Sequence, residues 1–243
     1  MSPPNPKSSG PATTPGSSGS AEHGTARTGR GGRAGAYEYR CWPSAGRAAG
    51  LRLRLARGWK RRTEAPRSDI YLLPPPGSGP IVSLAKLRDG EVLEIKLWRG
   101  SVGRLQYWQP GMRAEFPLPA RARDALDRAL GTALGLTTRS ARGRSSPTGE
   151  SAAALCAALE GGPARLVTVT KQRQMFSRAG SRVEISRIAV PGRRCWSVAV
   201  DDPDARRATA VLARLRLDRL ANLNYGQALS ALRPPAAASE DMP

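Results

Sequence analysis

The sequence predicts an α+β fold: a mainly antiparallel β-barrel or strongly curved sheet with inserted helices. Three observations lead there. Short segments alternating apolar and polar residues recur at strand length. Turn signals separate them. Only two or three helical patterns interrupt the series, too few for a parallel sheet with a helix after each strand. With 243 residues, the chain holds one large domain or two small ones and can bury a real core.

Taken in order, residues 1–36 are Pro, Ser, Gly, Thr and Ala with scattered Arg, and read as a disordered basic tail. One domain is expected over residues 37–230. Residues 36–42 read as a strand. Residues 40–67 carry nine Arg or Lys against one acid, Glu64. Within them Leu51-Arg52-Leu53-Arg54-Leu55 alternates like a strand, yet Leu51, Leu55 and Trp59 also fit one helical face, and the pattern alone leaves both open. Residues 68–73 form a strand closed by Pro74-Pro75-Pro76-Gly77. Asp89-Gly90, between strands at 82–88 and 91–98, is the strongest hairpin signal in the chain. Residues 102–109 add a further strand.

Ala122, Ala125, Leu126, Ala129, Leu130, Ala133 and Leu134 predict a helix over residues 120–134 with Gly135 at its C-terminal cap. A basic loop at 137–149 precedes a short Ala-rich helix at 151–159, where Cys156 reads as a small buried hydrophobe. Strands return at 166–175, 182–190 and 195–201. Asp202-Pro203 reads as an N-cap followed by proline at the first helical position. The helix after it buries Ala208, Val211, Leu212 and Leu215. Residues 231–243 form a polar, acidic, disordered tail.

Composition excludes several chemistries. His23 is the only histidine and lies in the first tail, so a Ser-His-Asp triad, an H-E-x-x-H zinc site and a histidine base are not expected. There is no C-x-x-C pair and no G-x-x-x-x-G-K-[ST] loop. Residues 29–34 fit G-x-G-x-x-A formally, but they follow a tail and precede a strand, the wrong context for a dinucleotide fingerprint. Cys41, Cys156 and Cys195 make no disulfide framework. No apolar run approaches a membrane span, and no apolar segment suits a signal peptide. A cytoplasmic location with no membrane partner is the expectation. The formal charge is +20, and 34 of the 39 basic residues are Arg, which composition bias alone can produce.

Charges then recur at strand period. Residues two apart in a strand share a face. Glu38 pairs with Arg40 in this way, Lys86 with Arg88, Glu94 with Lys96, and Lys171 with Arg173. Arg182, Glu184 and Ser186 share a face, as do Ser197, Ala199 and Asp201. The opposite faces carry Leu87, Leu93, Ile95, Leu97, Val183, Ile185, Trp196, Val198 and Val200. A solvated outer sheet face explains any one strand. Repetition in five of these six segments permits a shared charged interior, where cations would grip phosphate oxygens and carboxylates hold a hard divalent cation.

Tyr37-Glu38-Tyr39-Arg40, Lys86-Leu87-Arg88-Asp89-Gly90, Leu93-Glu94-Ile95-Lys96, Lys171-Gln172-Arg173 and Asn224-Tyr225-Gly226-Gln227-Ala228-Leu229 resemble, in that order, the motifs of the CYTH or triphosphate tunnel metalloenzyme superfamily. A polyphosphate polymerase branch of it is a nearer candidate relative. The resemblance covers residues 36–230 and implies an eight-stranded antiparallel tunnel. It implies phosphate binding by Arg40, Lys86, Arg88, Lys96, Lys171, Arg173 and Arg182. Metal binding, of Mg²⁺ or Mn²⁺, would fall to Glu38, Glu94, Glu184 and Asp201. The implied ligands are inorganic triphosphate, polyphosphate or a nucleoside triphosphate. Departures stand at Ala36, Ser186 and Ala199, where the family carries acids. These make binding a safer expectation than hydrolysis by a metal-dependent triphosphatase, and no catalytic residue is assigned.

Two other functions stay open. A nucleic-acid-binding module would use the basic patch of Arg52, Arg54, Arg57, Lys60, Arg61 and Arg62, with Trp42, Trp59, Trp98, Trp108 or Trp196 as stacking platforms. A scaffold domain would bind no phosphate compound at all.

Overall fold

Nine strands and five helices make up the residues that the computed structural model describes, 35–131 and 149–231. In chain order these are β1 (Ala36–Cys41), α1 (Ala45–Ala56), β2 (Lys60–Thr63), β3 (Arg67–Leu73), β4 (Ser83–Arg88), β5 (Val92–Val102), β6 (Leu105–Glu115) and α2 (Ala120–Leu130). There follow α3 (Ala152–Glu160), β7 (Arg165–Arg178), β8 (Ser181–Val190), β9 (Arg193–Asp202), α4 (Ala205–Leu215) and α5 (Tyr225–Ser230). The tails, His23, the 29–34 motif and the 137–148 loop lie outside the described residues.

Every pairing is antiparallel, and the sheet runs β2-β7-β3-β4-β5-β6-β1-β9-β8. β8 then pairs back with β7, from Thr170 opposite Ala189 to Arg178 opposite Ser181. Eight strands therefore close into a barrel. β2 lies end to end with β3 along one side of β7: Lys60–Thr63 sits opposite residues 174–177, and Arg67–Leu73 opposite residues 165–171. Pro66 separates the two, since it has no N–H to give to a ladder. The Asp89-Gly90 hairpin forms as expected, both residues having positive φ (52° and 73°), the conformation that a two-residue turn between twisted strands requires.

Apolar strand positions point outward and are covered by helices. Under α1 and α4 lie Tyr39, Cys41, Val183, Ile185, Val198 and Val200, packed on Leu51, Leu55, Ala208 and Leu212. Under α2 and α3 lie Leu72, Ala85, Leu87, Leu93 and Ile95, packed on Leu126, Leu130, Leu155 and Leu159. A third cluster is inside the barrel: Tyr225 and Leu229 of α5 fill one end against Tyr71, Leu73, Val169 and Ile188.

Several local expectations are corrected. The ambiguous stretch is helical from Leu51 to Ala56 and Trp59 lies past the helix end: Ser44 caps α1 by accepting from Arg47 N, Leu51 and Leu55 are buried, and Leu53 is 64% exposed. α2 stops at Gly131, left-handed at φ 62°, four residues before Gly135. Asp204, not Asp202, caps α4, accepting from Arg206 N and Arg207 N. Cys156 is only partly buried. β2 and α5 had no counterpart among the predicted elements. No described helix is long and apolar enough to cross a membrane.

Asp202 is a strut instead of a cap. It is fully buried and accepts from Ser181 Oγ (2.5 Å), Asp204 N (2.7 Å) and Arg207 Nη2 (2.8 Å), tying β8, β9 and α4 together. Burial opposes its charge, and the hydrogen bonds from Arg207 and Ser181 outweigh burial, so its carboxyl lies below the usual range. Asp202→Ala should destabilise the fold by about 2–4 kcal/mol in urea unfolding at pH 7, since charge-assisted bonds of this kind contribute about 1.5–3 kcal/mol each. A loss under about 1 kcal/mol would mean that α4 docks without it.

Candidate functional site

The ladder register decides where the charged faces point. Arg182 lies opposite Asp201, Asp201 opposite Glu38, and Glu38 opposite Gln106. Arg40 lies opposite Ala199, which faces Glu184 on its other side. Lys86 faces Glu94, Arg88 faces Asp69, and Arg173 faces Ser186. Lys96 alternates with Glu94 on β5, and Lys171 with Arg173 on β7. All eleven residues singled out from the sequence thus share the interior face. The solvated-outer-face alternative does not hold for them.

At the deepest level Asp69 has no exposed surface and receives three cations: Lys171 Nζ at 2.6 Å, Lys86 Nζ at 3.2 Å and Arg67 Nε at 3.4 Å. Lys171 also donates to Tyr71 Oη at 2.7 Å and lies 4.1 Å from the centre of the Tyr225 ring. The Arg40 guanidinium sits 4.4 Å from the same ring, on its way to Glu38 Oε1 (3.2 Å), Glu184 Oε1 (3.3 Å) and Ser197 Oγ (2.7 Å). Tyr225 is therefore an aromatic floor for two cations. Above it, Lys96 meets Glu38 Oε2 at 3.2 Å. Glu94 takes Arg88 at 2.9 Å, Lys86 at 3.4 Å and also Arg113. Arg173 is paired with Glu64 and stands 3.7 Å from Glu184. Arg182 is exposed, at the end of the barrel away from α5.

Crowding of charge displaces the titrations. Burial opposes ionisation of Glu38, Glu184 and Asp69, but neighbouring cations outweigh it and hold each carboxyl down to about 2. For Glu38 those cations are Lys96 and Arg40. Asp201 goes the other way, raised to about 6 by burial and by the charge of Glu38. Burial and the nearby Lys86 pull the Lys171 ammonium down to about 7, against the attraction of Asp69. Lys96 is raised by Glu38.

The departures at 36, 186 and 199 have visible consequences. Ser186 is fully buried and donates to Glu184 Oε1 at 2.8 Å. Ala199 is fully buried between Arg40 and Glu184, and its methyl group leaves the gap that their ion pair spans. Among the described residues, no group of three or more His, Cys, Asp or Glu side chains could hold a metal ion. Of the four expected metal ligands, Glu38, Glu94 and Glu184 are each committed to two or three cations, and Asp201 alone has no ion pair among the described residues, lying opposite Glu38 across the β1–β9 ladder. Sequence reasoning missed Arg67, Asp69 and Tyr71 of β3, and Arg113. Arg67-x-Asp69-x-Tyr71 shows the same two-residue spacing and was legible by the same rule.

No family model matches the chain, and no curated protein matches it. Solved structures do. A Pyrococcus horikoshii protein is 9% identical over 80% of this chain and 97% of that one, with a TM-score of 0.44. An adenylyl-cyclase candidate from Hippeastrum with a dominant triphosphatase activity is 11% identical over 75% and 87%, at 0.44. The mimivirus capping enzyme triphosphatase is 9% identical over 75% and 89%, at 0.40. Each likeness is distant in sequence and partial in shape.

Asp201 gives a stability test of this electrostatic layout. A carboxyl raised to about 6 in the fold, from an ordinary 3.8, favours folding at low pH, and that contribution is lost as pH rises through about 6. Asp201→Asn removes the charge. It should therefore stabilise the fold at pH 8 by about 1–3 kcal/mol and by little at pH 4, measured by denaturant unfolding at both values. Equal effects at the two pH values would place Asp201 in water.

Proposed function

We propose that the barrel interior binds a linear triphosphate group, whether as inorganic triphosphate, as the end of polyphosphate or within a nucleoside triphosphate. One observation carries this. Nine cations (Arg40, Arg67, Lys86, Arg88, Lys96, Arg113, Lys171, Arg173 and Arg182) share the interior face with five carboxylates, Glu38, Asp69, Glu94, Glu184 and Asp201, and a sixth, Glu64, pairs with Arg173, which leaves the cations in surplus. Buried charge of one sign needs a partner, and a multivalent anion supplies it. Buried donors without an acceptor support the same ligand: Arg88 Nε and Arg173 Nε have no hydrogen-bond partner. Guanidinium groups match phosphate oxygens in pairs, and the lysines act as point charges beside them.

A divalent metal has a narrower place. Mg²⁺ or Mn²⁺ would be held by Glu38 and Asp201, with Glu38 shared between the metal and its present partners Arg40 and Lys96. When bound it supplies charge neutralisation and polarises a phosphoryl oxygen. Two carboxylates are a sparse metal cage, and the surplus of interior cations offsets the charge of a phosphate chain without one. Binding is accordingly the primary activity, and turnover rests on the Glu38–Asp201 pair.

Calorimetry with tripolyphosphate, ATP and long-chain polyphosphate, with and without Mn²⁺, tests this beside a phosphate-release assay. Tripolyphosphate should bind without metal, and Lys86→Ala plus Arg173→Ala should weaken it about 100-fold or more, at about 1.5–3 kcal/mol per charge-assisted contact. Unchanged binding in the double variant would refute the site. Release that needs Mn²⁺ and vanishes in Glu38→Ala would add hydrolysis to binding.

The pH profile follows from Lys171. Below about 7 its ammonium is charged and grips phosphate; as pH rises past 7 the charge goes. Wild-type affinity should fall between pH 7 and pH 9 more steeply than that of Lys171→Arg, which stays charged. Comparing the two cancels the titration of the phosphates themselves. Parallel profiles would place Lys171 outside the contact.

A further inference from the structure

The outer surface carries cations that the interior does not use. α1, the turn after it and the outward side of β2 expose Arg54, Arg57 and Arg61, the last opposite Phe176 of the outer cluster. Among the described residues none of these pairs with a carboxylate; Arg62, the next along, pairs with Glu64 at 2.6 Å. Between this band and α4 lies a cavity of about 210 Å³, lined by Trp59, Arg178, Ser181, Arg207, Val211 and Arg214 among others, with no acid in its lining. Arg207 is held by Asp202 at 2.8 Å and stands 3.7 Å from Asp204. Arg178 and Arg214 pair with no carboxylate among the described residues.

Trp59 is fixed from behind. It packs against the apolar cluster beneath α1 and α4, and its backbone N–H donates to Leu55 O at 3.0 Å. The pairing of Lys60 with Ser177 sets it beside Arg178. The cavity thus offers a rigid indole, two free guanidinium groups and room for one planar ring. A band of unpaired cations leads away from it. An indole stacks on a base whatever its identity, and arginines take the flanking phosphates. A duplex keeps its base faces stacked inside and could use only the band. An acidic peptide would likewise use the cations and leave the indole idle.

We propose that this outer face binds single-stranded nucleic acid. One base stacks on Trp59 in the cavity, Arg178 and Arg214 hold its phosphates, and the backbone continues along Arg57 and Arg61. The site is separate from the barrel interior and does not depend on what the interior binds.

Fluorescence anisotropy with a labelled oligouridine of about 16 nucleotides tests it, using the full chain over a salt series. The single strand should bind more tightly than a hairpin duplex of equal length. Trp59→Ala should weaken it about tenfold or more, and Trp59→Phe should restore most of the affinity. Arg178→Ala plus Arg214→Ala should weaken it further and reduce the slope of log affinity against log salt by about 1.4. Both arginines are exposed, so this variant should melt with the wild type and keep the comparison one of binding. Tripolyphosphate affinity should not move in any of these variants. Absence of binding at low salt would overturn the proposal. So would Trp59→Ala binding as the wild type does with duplex bound equally well, which would leave a charged surface that takes any polyanion.

Discussion

Closure of the sheet through β7 and β8 is the constraint on which the rest of the structure depends. The same alternating strands, left open, would turn their charged faces to water, where each cation would be solvated and worth little. Closed, they turn those faces on one another. The cations and carboxylates then share one interior, in which Arg40, Lys171, Glu38 and Asp69 are buried while Lys96, Arg113 and Arg182 remain exposed, and each buried ionic group needs a partner. Closure also frees the apolar faces to be covered from outside, which is what α1 with α4 and α2 with α3 do.

The acids inside the barrel are best understood as struts for the cations. Asp69 gathers Lys171, Lys86 and Arg67; Glu94 gathers Lys86, Arg88 and Arg113; Glu38 and Glu184 share Arg40. Each carboxylate fixes two or three long side chains that would otherwise lose considerable entropy on meeting a ligand. The surplus of cations remains after this pairing, together with donors that find no acceptor. Pre-positioned cations with capacity to spare are the condition for tight anion binding, and they need no histidine.

The floor of the barrel uses a different device. Tyr225 enters from α5, which Asn224 and Gln227 cap reciprocally, and its ring lies beneath Arg40 and Lys171 and stacks on Tyr71 at 5.0 Å. The aromatic faces let two like charges sit near one another with less repulsion than bare packing would allow. Below them the interior is apolar, so the charged space ends at a defined depth.

By itself, the sequence determined the strand faces. Glu38 with Arg40, Lys86 with Arg88, Glu94 with Lys96 and Lys171 with Arg173 were legible because side-chain direction in a strand follows from covalent geometry, with a period of two. It also determined the apolar counter-faces and the Asp89-Gly90 turn. It could not decide whether the charged faces met water or one another, since a solvated sheet and a closed barrel use the same alternation. That was settled by the long-range pairing of β7 with both β3 and β8. Asp69, Tyr71 and Tyr225 entered the site the same way: the spacing fixed the face of Asp69 and Tyr71, but their partners, such as Lys171, 102 residues from Asp69, meet them only when the ladder is complete. Local patterns fix which way a side chain points, and only tertiary contacts fix what it points at.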